Sequence, residues 1–146
     1  MSANSRFAVA THLLTSLALA AERGPDVLLT SEELAESINT SPVVVRRIIG
    51  LLRKAGLVIS HSGRGGGNAL ARPAARISLL DVYRAVDEPI LFAMNPNRPN
   101  PACPVSCRMK ELLGPVFADA EQAVEARLAK VRLSQLAESV TEPRGA

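Results

Sequence analysis

Residues 41–71 read SPVVVRRIIGLLRKAGLVISHSGRGGGNALA, and two kinds of local structure follow each other in them. Ser41 can cap a helix, and Pro42 suits its first position, where the missing N–H costs nothing. Val45, Ile48, Ile49 and Leu52 then fall on one face at helical spacing, with Arg46, Arg47, Arg53 and Lys54 mostly off it. Gly56 is a natural left-handed terminator. Leu57, Val58 and Ile59 are β-formers, GRGGG permits a tight reversal, and residues 68–71 supply a return strand. The pattern predicts a helix over 41–55 followed directly by a β-hairpin with an arginine at its tip.

Working upstream, LLTSEELAESI places Thr30 three residues before Glu33, a capping box with an acidic first turn. Leu34, Ala35 and Ile38 form the buried face of that short helix, and Asn39-Thr40 breaks it. Two helices joined by a short turn are the unit that delivers a helix to the DNA major groove, and a hairpin directly after them is a wing. A glycine-rich loop can also cradle phosphate, but this one lies between strands and lacks the strand-to-helix context of a nucleotide fingerprint. The first helix is expected from about residue 4 to 22, ended by Gly24-Pro25. Its segment 7–21 has a passable signal-peptide outline: it is apolar, follows Arg6 and ends in small residues. Thr11, His12, Thr15 and Ser16 interrupt it, and Phe7, Leu13, Leu14 and Leu17 recur at helical spacing, so a core helix is expected.

Downstream, ISLLDVYRAVDEP reads as a helix with Ser78 as cap and Asp81 at its third position. Pro89, Pro96, Pro99 and Pro101, with Asn95, Asn97 and Asn100, make the next segment a loop. Pro104 can start another helix. Val105, Met109, Leu112, Val116, Ala120, Ala123 or Val124, Leu128 and Val131 recur every three to four residues, a stripe too long to bury on a small winged domain, so it asks for a partner helix. Pro115 should kink that helix, or mark its effective start. Residues 134–140 look like a short capped closing turn. The expected organisation is a winged helix-turn-helix domain over 1–87, a proline-rich loop over 88–103, a dimerisation helix with its closing turn over 104–140, and a disordered tail over 141–146. The expected fold is mostly α.

The chain has 146 residues, 47% hydrophobic and 21% charged, enough for one compact domain or a small domain with an arm. No apolar run reaches the roughly 18–20 residues of a membrane span. Two cysteines are not a disulfide framework, so a reducing, cytoplasmic setting is expected. Net charge is only +3, but between Ser41 and Arg76 there are seven basic residues and no Asp or Glu. That is the footprint of a polyanion-binding face or, alternatively, a solvated basic surface. No paired carboxylates stand in a motif and no nucleophile–base pair is visible, which argues against an enzyme and leaves a protein–protein adaptor as the other alternative.

Four stretches carry a family resemblance: NSRFAVATHLL, the LAESINTSPVVVRRIIGLLRKAGLV block, the GRGGGNALAR wing and ISLLDVYRAV. Together they resemble the Rrf-two family of bacterial winged-helix transcription regulators, whose relatives include IscR, NsrR and CymR. The resemblance covers about residues 4–140. It is specific from Leu34 through Val86, while the last helix matches only by pattern. It implies a homodimer whose long C-terminal helices cross, with each winged domain on a half-site of a palindromic double-stranded DNA operator; the leading expectation is a repressor.

On this reading Ser41, Val44, Arg46 and Arg47 are candidates for base edges, and Thr40 and Ser41 can hydrogen-bond phosphate beside the helix N-terminus. IscR-like members carry a carboxylate at the position of Arg46, so an arginine there should favour guanine. Arg53 and Lys54 are backbone-contact candidates. Arg64, beside Gly65 at the wing tip, is a minor-groove candidate. His61 and His12 are expected to be a bystander and a structural polar residue. Family members with an iron–sulfur cluster usually carry three cysteines near this loop plus a fourth ligand; PNPACPVSCRMK, residues 99–110, has Cys103 and Cys107 only. No cofactor or metal site is therefore expected, with an iron–sulfur-dependent regulator, its four thiolates pooled by a dimer whose two loops meet, as the alternative. The cysteines are instead candidates for a thiol switch, since a helix N-terminus and the nearby Arg108 and Lys110 favour thiolate, or else are packed and idle.

Overall fold

The computed structural model describes residues 3–86 and 91–145. Helix α1, Ala3–Glu22, is the spine. Leu13, Leu14 and Leu17 are at most 1% exposed, so the segment with the signal-peptide outline is the centre of the core. Its polar residues are satisfied at home. The Thr11 and Thr15 hydroxyls donate to the carbonyls of Phe7 and Thr11, at 2.9 and 2.7 Å. His12 Nε2 lies 3.0 Å from Ser37 Oγ and ties α1 to the next helix, the structural role expected of it.

Helix α2, Ser31–Ile38, starts at the predicted capping box. Thr30 Oγ1 accepts from Glu33 N, and the Glu33 carboxylate accepts from Thr30 N. Asn39 ends it in the left-handed conformation, φ +61°, which asparagine tolerates better than most residues. Helix α3, Pro42–Lys54, follows with Ser41 as cap and buries Val45, Ile48, Ile49 and Leu52. Fully burying side chains of this size contributes about 1.5–3 kcal/mol each.

Strands β1, Val58–His61, and β2, Gly67–Leu70, pair antiparallel with Ser60 opposite Asn68. Leu29 adds an isolated antiparallel bridge to Asn68, a contact absent from the sequence reading, which had only a loop there. A short 3₁₀ turn, Ala74–Arg76, leads to α4, Leu79–Ala85, whose Ser78–Asp81 capping box forms as expected. The expected helix runs on toward residues 87–90, which lie outside the described residues.

Helix α5, Pro104–Ala129, is continuous through Pro115, so the helix does not begin at that proline. Proline removes one ladder bond there and its ring crowds the carbonyl of Glu111, a local cost that the 26-residue helix spans without ending. None of its residues is buried within the chain. The preceding loop is laid on it, with Phe92 stacked on Phe117 at 5.2 Å.

The closing segment differs from its reading as a turn. It is a nine-residue helix, α6, Leu133–Thr141, and it packs on the winged unit. Leu133 is fully buried and Ala137 is 2% exposed, both in the core that α1, α2 and α3 build. Leu133 N–H donates to Ile77 O at 2.8 Å, and Leu79 N–H to Val131 O at 2.9 Å, around a Ser78–Arg132 bridge. The chain thus leaves the winged unit, runs out along α5, and returns to the same core. No helix among the described residues is long and apolar enough to cross a membrane.

Candidate nucleic-acid interface

The buried stripe of α3 fixes what its other side presents. Val45, Ile48, Ile49 and Leu52 face the core, so Val43, Arg46, Arg47, Gly50, Arg53 and Lys54 form one solvent face. Ser41 Oγ accepts from Val44 N at 3.4 Å, which anchors the first turn, and Thr40 is half-buried beside it. Val44 packs against the core, whereas Val43 is 61% exposed. The three consecutive valines carry no polar contrast, so pattern alone did not separate them. Val43 is the apolar side chain this face offers, and such groups suit a thymine methyl.

The wing stands beside that face. Gly66 N–H donates to Gly63 O at 3.0 Å and closes the turn, with Arg64 exposed at its tip. Gly65 is left-handed at φ +75°, and a Cβ on Gly66 would collide with the His61 carbonyl, so the GRGGG composition is required by the turn itself. Asn68 roots the wing. It is 6% exposed, accepts from Ser60 Oγ at 2.6 Å, and donates through Nδ2 to Leu29 O at 3.0 Å. His61 is exposed on β1. Between α3 and the wing lies a crevice of about 720 Å³, lined by Arg46, Arg53, His61 and the wing backbone.

The sequence stretch from Ser41 to Arg76 contains no acid, but the fold brings two to it. Glu32 on α2 reaches Arg46 at 2.8 Å, and Asp81 on α4 reaches Arg72 at 3.5 Å. A hydrogen bond from its own backbone N–H, and the Arg46 guanidinium beside it, hold the Glu32 carboxyl below the usual carboxylate range. Arg47, Arg53, Lys54 and Arg64 have no ion-pair partner among the described residues. The Arg46–Glu32 pair spans two helices, and no local spacing rule reaches it.

At the far end of α5, Cys103 is the N-cap and half-buried, its Sγ accepting from Ser106 N at 3.5 Å. Cys107 is exposed one turn on and donates through Sγ to Asn100 O at 3.4 Å.

Comparison with known proteins places these features. The model of the Rrf2 (Rrf-two) family, described as an iron-dependent transcriptional regulator, matches residues 3–139. A candidate HTH-type transcriptional regulator of Bacillus subtilis, YwnA, is 42% identical over 134 residues, 91% of this chain and 95% of its own. The structure of CymR, the global cysteine regulator of B. subtilis, superposes with a TM-score of 0.67 at 25% identity, covering 97% of this chain and 98% of that one. T. potens IscR shares the fold, with a TM-score of 0.72 at 22% identity over 97% of this chain and 90% of its own. An iron–sulfur cluster is usually held by four thiolates. One copy of this chain has two cysteines, and no third His, Cys, Asp or Glu joins them in a metal-binding group among the described residues, so four thiolates would require the loops of two copies to meet. With a winged helix-turn-helix, a capped and basic third helix and a long final arm matched over nearly its whole length, the chain belongs to the Rrf2 family of transcriptional regulators.

Proposed function

We propose that the chain is a homodimeric, sequence-specific repressor that binds double-stranded DNA at a palindromic operator. The observation that carries this is the single solvent face of α3, from Val43 to Lys54, standing next to an arginine-tipped wing. In this reading the first turns of α3 enter the major groove. Val43, Arg46 and Arg47 meet base edges, Thr40, Ser41, Arg53 and Lys54 meet the backbone, and Arg64 with Gly65 enters the minor groove.

The dimer reading rests on α5. Val105, Met109, Leu112 and Val116 recur on one stripe and are 62%, 40%, 52% and 58% exposed. A contiguous apolar stripe of this kind is costly in water and calls for a second copy of the helix. Two crossed copies place two winged units on one duplex, which a palindrome matches. No iron cofactor is assigned, because each copy offers two thiols and a four-thiolate set would need the two Cys103–Cys107 loops to meet. The signal assigned to the loop–helix junction is modification of Cys107, whose exposed thiol lies at the outer end of the dimer helix.

Selection of bound duplexes from a randomised pool, with and without mild oxidant, tests the whole reading. Enrichment of an inverted repeat supports it. No enrichment at low salt would leave the winged unit as an adaptor for other proteins. Enrichment unaffected by oxidant would keep the repressor and remove the thiol switch.

A further inference from the structure

Glu32 is the acidic side chain in the lining of the crevice between α3 and the wing. A carboxylate on a face that meets a polyanion repels it, so its presence there calls for a reason. Its place in the acidic first turn of α2, accepting from its own backbone N–H, suits the helix dipole but does not account for its reach to α3. Thr30 and Glu33 already share the reciprocal bonds that start α2, at 2.8 and 3.1 Å, and Glu32 takes no part in them. Glu32 instead accepts from Arg46 Nη2 at 2.8 Å, with both side chains more than half exposed.

A guanidinium presents five donors in a rigid plane. Engaging one terminal nitrogen fixes that plane and leaves other donors for a second planar acceptor. Unheld, the long side chain would swing among phosphates and bases alike. We propose that Glu32 is a specificity-determining positioning residue: it holds the Arg46 guanidinium in one orientation toward a guanine edge, while its charge weakens attachment to DNA of any sequence. Both effects widen the gap between operator and bulk DNA. The inference rests on the reading of α3 as the DNA-reading helix.

The test uses the full chain and four variants: Glu32→Ala, Glu32→Gln, Arg46→Ala and the double variant Glu32→Ala/Arg46→Ala. Each is titrated against a duplex selected by the unsubstituted protein, against that duplex with the Arg46-dependent base pair changed, and against a random duplex. Glu32→Ala should bind random DNA several-fold tighter and lose about tenfold in base discrimination, within the range of a bidentate contact. Glu32→Gln keeps an amide oxygen to accept from Arg46, so it should gain on random DNA yet retain the base preference. Adding Arg46→Ala to Glu32→Ala should cost no further discrimination. Equal tightening on all duplexes with the preference intact would reduce Glu32 to a repulsive charge and overturn the proposal. Unchanged binding, or Glu32→Gln losing discrimination like Glu32→Ala, would overturn it too. A parent protein that selects no sequence would remove the DNA reading and this inference together, whereas a selected sequence that Glu32→Ala still prefers removes the inference alone.

Discussion

Replacing Leu133 by alanine measures how firmly the arm is tied to the winged unit. Leu133 is fully buried in the same core as α1, α2 and α3, with α6 packed on α1 and on the 3₁₀ turn, although it stands after the long α5 in sequence. The substitution removes three carbons. At about 0.8 kcal/mol per buried methylene the transfer loss is about 2.4 kcal/mol, and the residual cavity raises it to about 3–4 kcal/mol. The backbone bond from Leu133 N to Ile77 O is kept, so the loss reports packing. For a chain of this size that corresponds to a fall in Tm of about 10 °C. Urea and thermal melts followed by circular dichroism give the number, run at fixed protomer concentration because dimerisation itself shifts Tm. Val140→Ala, on the same helix but 62% exposed, is the control and should stay within about 0.5 kcal/mol. A Leu133→Ala loss below about 1 kcal/mol, equal to that control, would mean that α6 is not part of the core.

Three further outcomes are expected. Arg64→Ala should lower the slope of log affinity against log salt by about 0.9, one phosphate equivalent, on a selected duplex; an unchanged slope removes Arg64 from the DNA face. Leu112→Asp, at a 52% exposed stripe position of α5, should turn a sedimenting dimer into a monomer with its winged unit still folded; a dimer unaffected by the charge would place the self-contact elsewhere. Iodoacetamide should label exposed Cys107 several-fold faster than half-buried Cys103, read by peptide mass spectrometry; equal rates would show that the Cys103 cap opens as fast as reagent arrives.

What the sequence made legible was local. Both capping boxes, the Ser41 start of α3 and the glycine turn of the wing are set by residues within about five positions, and each stands where spacing put it. Long-range features were not legible. Leu29 pairs with Asn68, and Glu32 with Arg46, only because the fold brings distant segments together. Ala137 falls in the segment read as a closing turn and Leu133 just before it, and two apolar positions do not say which surface buries them. On α3 the run Val43–Val44–Val45 hid the exposed member, since rotation about the helix axis is set by the core contacts of Ile48 and Leu52. The candidate face was therefore legible as a helix and a wing, and the two acids that the fold brings to it, Glu32 and Asp81, were not.

The out-and-back path of α5 and α6 has a mechanical meaning. A helix of 26 residues is about 39 Å long, and Cys103 stands at one end while the Ser78–Arg132 bridge lies just past the other. The base of the arm is held against the winged core by the buried Leu133 on one side and by packing of α5 on α4 on the other, where the exposed Arg84–Glu125 pair adds little. Both elements next to the arm, α4 and α6, pack on α1, so a load applied at the tip would be borne by the core of the winged unit and not by a free linker.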